Sequence, residues 1–314
     1  MKKYSVVLAA VVLALSLSSA SAKRHHSNHN SNYNSGQQSG GNRDNYNNGG
    51  NNGGNFNGNY GAIPAPSANI PKPQVISPDV KGQDLFNALH EYTSDHTAVG
   101  YSAAKSLLRL KVDPVEQGGK TGVICHYSQV FIPCDGTDCK ERGDQNGDGH
   151  ANDFVNVEHT WPQSFFNKNE PMRSDMHQLL LTLSVPNARR GHMPFSEVTP
   201  DNKDDVEYTT DSGSQQTREY FEPNDASKGN VARALLYFAV TYTGNNVHAG
   251  TFNSNGFWDS KIAMLLEWNR QDPPDAQEKR RNDVIASYQG KRNPFIDDPS
   301  LADKIGMEVW KAMQ

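Results

Sequence analysis

Of the 34 residues from Ser27 to Tyr60, 21 are Asn or Gly, and this tract limits what the chain can fold into more than any other feature. It brings almost no apolar surface and the largest loss of backbone freedom on ordering, so it cannot offset its own entropy. Tyr33, Tyr46, Phe56 and Tyr60 are too scattered to seed a core. His25, His26 and His29 read as part of the same solvated tail, and Pro64 to Pro78 as a stiff linker. Ahead of the tract stand Lys2-Lys3, an apolar stretch Tyr4–Leu17 and Ala20-Ser21-Ala22, the order of an export signal with its cleavage site. The expected organisation is a signal peptide over 1–22, a disordered Asn/Gly-rich tail with a Pro-containing linker over 23–81, and one folded domain over 82–314.

The chain carries 30 Lys and Arg against 35 Asp and Glu. Phosphate is repelled by such a chain as a whole, which excludes a polycationic packaging role. A nucleic-acid partner would need a local basic surface or a metal ion. No later apolar run reaches the roughly 20 residues of a membrane span, so an exported monomer without a membrane anchor is expected. Three cysteines suit an oxidising compartment and leave one over. Cys134 and Cys139 are the disulfide candidate, although Cys125 could replace either.

Within the folded part, Leu85, Phe86, Ala88, Leu89 and Tyr92 recur at helical spacing. A second helix is expected over Ser102–Leu110, ending before Pro114, and a strand at Val130-Phe131-Ile132. Val231 to Tyr242 reads as a buried helix, flanked by Lys228-Gly229, and Lys261 to Trp268 as another. Helices dominate, so the fold class is α+β, mainly helical and single-domain.

Three segments carry candidate chemistry. Asp144, Asn146 and Asp148, followed by Gly149, match the start of a calcium loop, with oxygen ligands at alternating positions and Gly for the sharp turn. The twelfth position is Val155 where a bidentate Glu belongs, so a plain Asx/Gly turn competes. Glu158-His159 is the second segment, a pair that arises readily by chance. The third runs from Ser174-Asp175-Met176-His177 to Gly191. There Ser184 fits an N-cap, Pro186 a first helical turn and Gly191 a stop, which puts Asn187 near the start of a short helix.

Glu158-His159-Thr160-Trp161-Pro162, Ser174-Asp175-Met176-His177 and Asn187 with Arg190-Gly191 together resemble the bacterial endonuclease I family of exported, non-specific nucleases with a His-Me finger (ββα-metal) site. Val231 to Val240, Leu266-Glu267-Trp268 and Gln289 to Asp297 resemble its later half in the same order. The resemblance implies a ββα-metal finger: His159 on a strand, a second strand around Met176–Thr182, and Asn187 on the helix that follows. Periodicity disagrees at the second strand, since Met176, Leu179, Leu180 and Leu183 are spaced as in a helix. Neighbours on a strand point to opposite faces, so a site shared by Glu158 and His159 requires a strand end or a bulge. Val157 stands where the family often has a basic residue.

The resemblance implies His159 as general base and Glu158 with Asn187 as ligands of one catalytic Mg²⁺, for which Mn²⁺ or Ca²⁺ can substitute. One carboxylate and one neutral amide leave a positive surplus on such an ion, which attracts phosphate in an acidic protein. Arg190 and Arg173 are the candidates for contacting the scissile phosphate. Arg280, Arg281, Lys291 and Arg292 form the densest late basic cluster and are expected to follow the backbone of DNA or RNA without reading sequence. A zinc-protease reading of His90-Glu91 fails, because His96 is too far along the helix to share a face. The competing non-catalytic reading is a secreted calcium-binding matrix or surface protein, which leaves Glu158, His159 and Asn187 unexplained.

Overall fold

The computed structural model describes residues 64–72, 76–245 and 258–312; the expected signal peptide and the Asn/Gly tract lie outside them. Helix α1 (Gly82–Ser94) turns Leu85, Phe86 and Leu89 inward. Helix α2 (Tyr101–Leu107) continues as a wider π-turn, Leu108–Val112, and stops before Pro114. Four antiparallel strands follow in sequence order: β1 (Val115–Gln117), β2 (Lys120–Ile124), β3 (Phe131–Asp135) and β4 (Asp138–Cys139). Cys134 and Cys139 face each other across β3 and β4 and are disulfide-bonded. Cys125 is buried, and burial pushes its thiol far above the ordinary range, which leaves it inert.

The centre of the domain is the hairpin of β5 (Val155–His159) and β6 (Leu179–Leu183), with helix α3 (Ser184–Arg190) leaving β6 directly. The register pairs Val155 with Leu183, Val157 with Leu181 and His159 with Leu179. Strand alternation therefore gives the hairpin two faces. Val155, Val157, Leu179, Leu181 and Leu183 join one core with Leu107, Leu108, Val123, Ile132 and Ile285. Leu180 belongs to the other, built around α4 (Asp225–Thr241). A small sheet of β7 (Tyr208–Thr209), β8 (Gln215–Gln216) and β9 (Phe221–Glu222) stands between α3 and α4 in the chain.

Helix α4 is buried continuously from Val231 to Tyr242, as an all-round apolar pattern requires. It begins earlier than Lys228-Gly229 suggests, and Gly229 is helical for a packing reason. A Cβ there would collide with the carbonyl oxygen of Asp272, at the end of α5 (Ile262–Gln271). Helix α6 (Ala276–Gln289) and three short helices, α7 (Pro294–Asp297), α8 (Leu301–Ile305) and α9 (Met307–Ala312), complete the described residues. No helix among them is long and apolar enough to cross a membrane.

The strand that the resemblance implies around Met176–Thr182 is β6, entered through a single 3₁₀ turn, Met176–Gln178, so the helical spacing of Met176 to Leu183 does not make a helix. Leucines buried on both faces of a strand mimic a helical stripe. The folded part also begins before residue 82. Ser67 N donates to Ser287 O at 2.7 Å, Pro71 O accepts from Arg292, and Ile76 and Val80 pack against the larger core.

Candidate active site

Alternation along β5 would put Glu158 and His159 on opposite faces, but His159 is the last strand residue, and Tyr101, packed on its ring, lies within electrostatic reach of Glu158. The carboxylate of Glu158 is buried, and its Oε1 accepts from Tyr127 Oη and from Arg190 Nη1, each at 2.8 Å. Burial raises the Glu158 pKa, and the Arg190 charge and both bonds oppose the rise. Arg190 also donates to the main-chain oxygens of His159 at 2.8 Å and Thr160 at 2.6 Å, and its guanidinium lies over the Phe195 ring. Asn187, one turn earlier on α3, donates through Nδ2 to Val157 O at 3.2 Å. The structure thus brings Glu158, Asn187 and Arg190 to one stretch of β5.

His159 is the last residue of β5, where the chain leaves the ladder. Its imidazole packs against Tyr101 and Phe166, with ring centroids 5.4 and 6.5 Å away. Nε2 lies 3.1 Å from Arg173 O. A carbonyl only accepts, so Nε2 carries the proton and Nδ1 keeps its lone pair. Burial pushes the pKa down to about 4, helped by the charges of Arg173 and Arg190 and opposed by the bond to Arg173 O. The ring is neutral at physiological pH.

The arginines separate into two kinds. Arg190 was expected to reach phosphate, but it is wholly buried and several of its donors are committed to Glu158 and the end of β5. Arg173 is only half-buried, lies 4.4 Å over the Tyr101 ring, and has an Nε with no hydrogen-bond partner. Arg281 and Arg292 of the late basic cluster are also corrected as nucleic-acid contacts, being buried in ion pairs. Arg281 is buried against Asp113 and the main-chain oxygens of Met176 and Leu179. Arg292 is buried against Asp297 and Asp283, Arg280 donates to Val112 O at 2.8 Å, and Lys291 lies 3.6 Å from Asp95. These groups tie α6 and α7 to the rest of the domain. A groove of about 590 Å³ follows the end of α3, lined by Arg189, His192, Arg218 and Tyr220 among others.

Asp153 and Gln178 support the site without any signal in sequence, whereas Asp175 and Gly191 stand in the quoted motifs. Asp153, just before β5, accepts from Ser184 Oγ and, at 2.7 Å, from Val185 N. It caps α3 from outside, so Ser184 is the first helical residue and not the cap. Gly191 does end the helix, at φ 55°. Asp175 is buried, accepting from Tyr242 Oη at 2.8 Å and Gln289 Nε2 at 2.9 Å, and it caps the 3₁₀ turn into β6. Gln178 binds Met172 O through Nε2 and accepts from Trp161 N. Together these fix the segment whose carbonyl holds His159. Among the described residues no three His, Cys, Asp or Glu side chains group as a metal site; Glu158 and Asn187 offer one carboxylate and one amide.

A helical α+β domain whose central hairpin holds a buried carboxylate, a neutral imidazole with one free lone pair, and an amide on the next helix has the parts of a hydrolase. The family model of endonuclease I matches residues 81–300, and the chain belongs to that family of nucleases. It is 34% identical over 238 residues to an extracellular ribonuclease of Bacillus amyloliquefaciens, covering 73% of this chain and 74% of that protein. A Bacillus subtilis extracellular ribonuclease is equally similar, at 34% over 238 residues. An extracellular deoxyribonuclease of Aeromonas hydrophila is 29% identical over 128 residues, 40% of this chain and 50% of that one.

Proposed function

We propose that this protein is an exported, metal-dependent endonuclease that hydrolyses phosphodiester bonds in both RNA and DNA without sequence preference. The observation that carries the reading is the hydrogen bond from His159 to Arg173 O. It holds a neutral imidazole with Nδ1 as the proton acceptor, at the end of the strand that carries Glu158. Relatives described as ribonucleases and as deoxyribonucleases support both substrates.

The donor set suits a hard divalent cation. Tyr127 and Arg190 both bind Oε1 of Glu158, and neither of these bonds falls on Oε2. Asn187 is anchored by Nδ2 on Val157 O, so its amide oxygen is the end left for a ligand. One carboxylate and one amide suffice for Mg²⁺, which keeps several waters, and bound there it would supply Lewis-acid stabilisation of the phosphate and the leaving oxygen. His159 Nδ1 takes the proton of the attacking water. Arg173, braced on Tyr101, supplies a guanidinium to a phosphate oxygen. The groove beside α3 offers Arg189 and Arg218 to the backbone and Tyr220 as a stacking face, features that bind without reading base edges.

The test is incubation of purified protein with plasmid DNA and with structured RNA, in Mg²⁺ or in chelator. Cleavage of both polymers in Mg²⁺ and of neither in chelator is expected. Cleavage of one alone narrows the substrate, cleavage in chelator removes the metal, and cleavage of neither overturns the reading.

A further inference from the structure

We infer that Asp144, Asn146, Asp148 and Asp211 form a structural calcium site that locks the loop leading into β5. The proposal is independent of the nuclease reading.

The loop is tied at its base, Glu141 N donating to Asp153 O at 2.9 Å and Glu141 Oε1 accepting from Asp153 N. Asp144 accepts from the main-chain N–H of Asp148 and Gly149, and Asp148 from His150 N and, at 2.6 Å, from Tyr208 Oη. The structure adds Asp211, from the turn between β7 and β8. Its N–H donates to Asn146 O at 2.9 Å, and its carboxylate lies where a Cβ at Gly147 would be. Gly147 has φ 66°, so both its conformation and this approach exclude a side chain. Three carboxylates are drawn to one loop.

The second observation is the amide of Asn146. The residue is wholly buried, its Nδ2 donates to Asp148 Oδ2 at 2.9 Å, and its Oδ1 is buried without any partner. An orphaned buried carbonyl oxygen is costly, and half a turn of the amide puts that oxygen beside Asp148, where a cation satisfies both. The three carboxylates do not by themselves make a metal cluster in this geometry. Calcium is the fitting ion because it accepts a loose set of carboxylate, amide, main-chain and water oxygens, which magnesium does not. The carboxylates of Asp144 and Asp211 are exposed, which points to the weak affinity of extracellular modules, on the order of 10⁻⁴–10⁻³ M. Because Asp153 closes the loop and caps α3, the ion would stiffen the support of the helix that carries Asn187.

The experiment uses the whole secreted chain, without nucleic acid. Terbium emission excited through tyrosine reads the site, since Tyr208 touches Asp148, and calcium titrated against it gives the affinity. Thermal unfolding is followed in chelator, calcium and magnesium. Calcium is expected to displace the emission and to raise Tm further than magnesium does. Asp211→Asn and Asp148→Asn should lose both effects, Tyr208→Phe should dim the emission but keep the calcium-dependent Tm, and Asp84→Asn, an exposed carboxylate on α1, should keep both. Asp211 is exposed, so its variant remains informative if Asp148→Asn does not fold. A Tm unmoved by calcium, a calcium effect that survives Asp211→Asn, or one abolished equally by Asp84→Asn overturns the site.

Discussion

Arg190 and Arg173 flank the same histidine in different surroundings. Arg190 and Glu158 are a buried pair, with side chains 0% and 3% exposed. Breaking such a pair from one side leaves the other charge uncompensated, so Arg190→Met should destabilise the fold by about 3–5 kcal/mol, measured by denaturant unfolding. Arg173→Met removes a half-buried guanidinium held mainly by an aromatic face. Its stability should change little while turnover falls by roughly 10²–10³, the usual cost of losing one donor to developing negative charge. The reverse pattern, an unstable Arg173 variant and a stable, slow Arg190 variant, would exchange the two roles. Glu158, His159 and Asn187 are legible in sequence because each sits in a motif of fixed spacing. The arginines are not, because a charged letter does not reveal what lies opposite it. Arg281 and Arg292 read as a basic surface in sequence, but Asp113, Asp283 and Asp297 lie beside them in the fold.

At the scale of elements, the amphipathic and all-apolar helices α1, α4 and α5 are readable from period alone. Strand β6 is not, since its leucines are buried on both faces and only the pairing with β5 gives it away. The cap of α3 is equally hidden, because its acceptor lies about 30 residues upstream at Asp153. Asp153→Ala should cost about 1–2 kcal/mol in urea unfolding, the range of a lost N-cap, and Ser184→Ala less, since Val185 N keeps its acceptor. Equal costs would mean that Ser184 caps its own helix. Gly229→Ala is a second test. Helix propensity alone predicts a gain of roughly 1 kcal/mol, but the Asp272 carbonyl occupies the space, so a net loss of stability is expected. A gain would show that α4 and the end of α5 do not approach as closely as described.

For the molecule as a whole, buried neutral histidines set the response to acid. His177 is 2% exposed, donates through Nε2 to Lys291 O at 2.9 Å, and has a buried Nδ1 with no partner. Burial pushes its pKa from 6.5 to about 4, against the pull of Asp175. Between those values the unfolded chain binds more protons, so this contribution is present above pH 6.5 and lost as pH falls towards 4, at up to about 1.4 kcal/mol per pH unit. Tm should drop through that window, and His177→Gln should flatten the drop; an unchanged slope would place the acid sensitivity elsewhere. Removing residues 1–63 should leave specific activity within a small factor, whereas removal through 81 also strips Ile76, Val80 and the Pro71 contact to Arg292 and should lower stability. Sequence composition marks where a core cannot form, but not how far a linker is recruited onto one. The central claim concerns His159, and its most direct test is single-turnover cleavage of labelled DNA and RNA by folded His159→Ala at saturating Mg²⁺. The account predicts a rate lower by roughly 10²–10⁴ with binding of both polymers retained. A wild-type rate in a preparation free of other nucleases would contradict it.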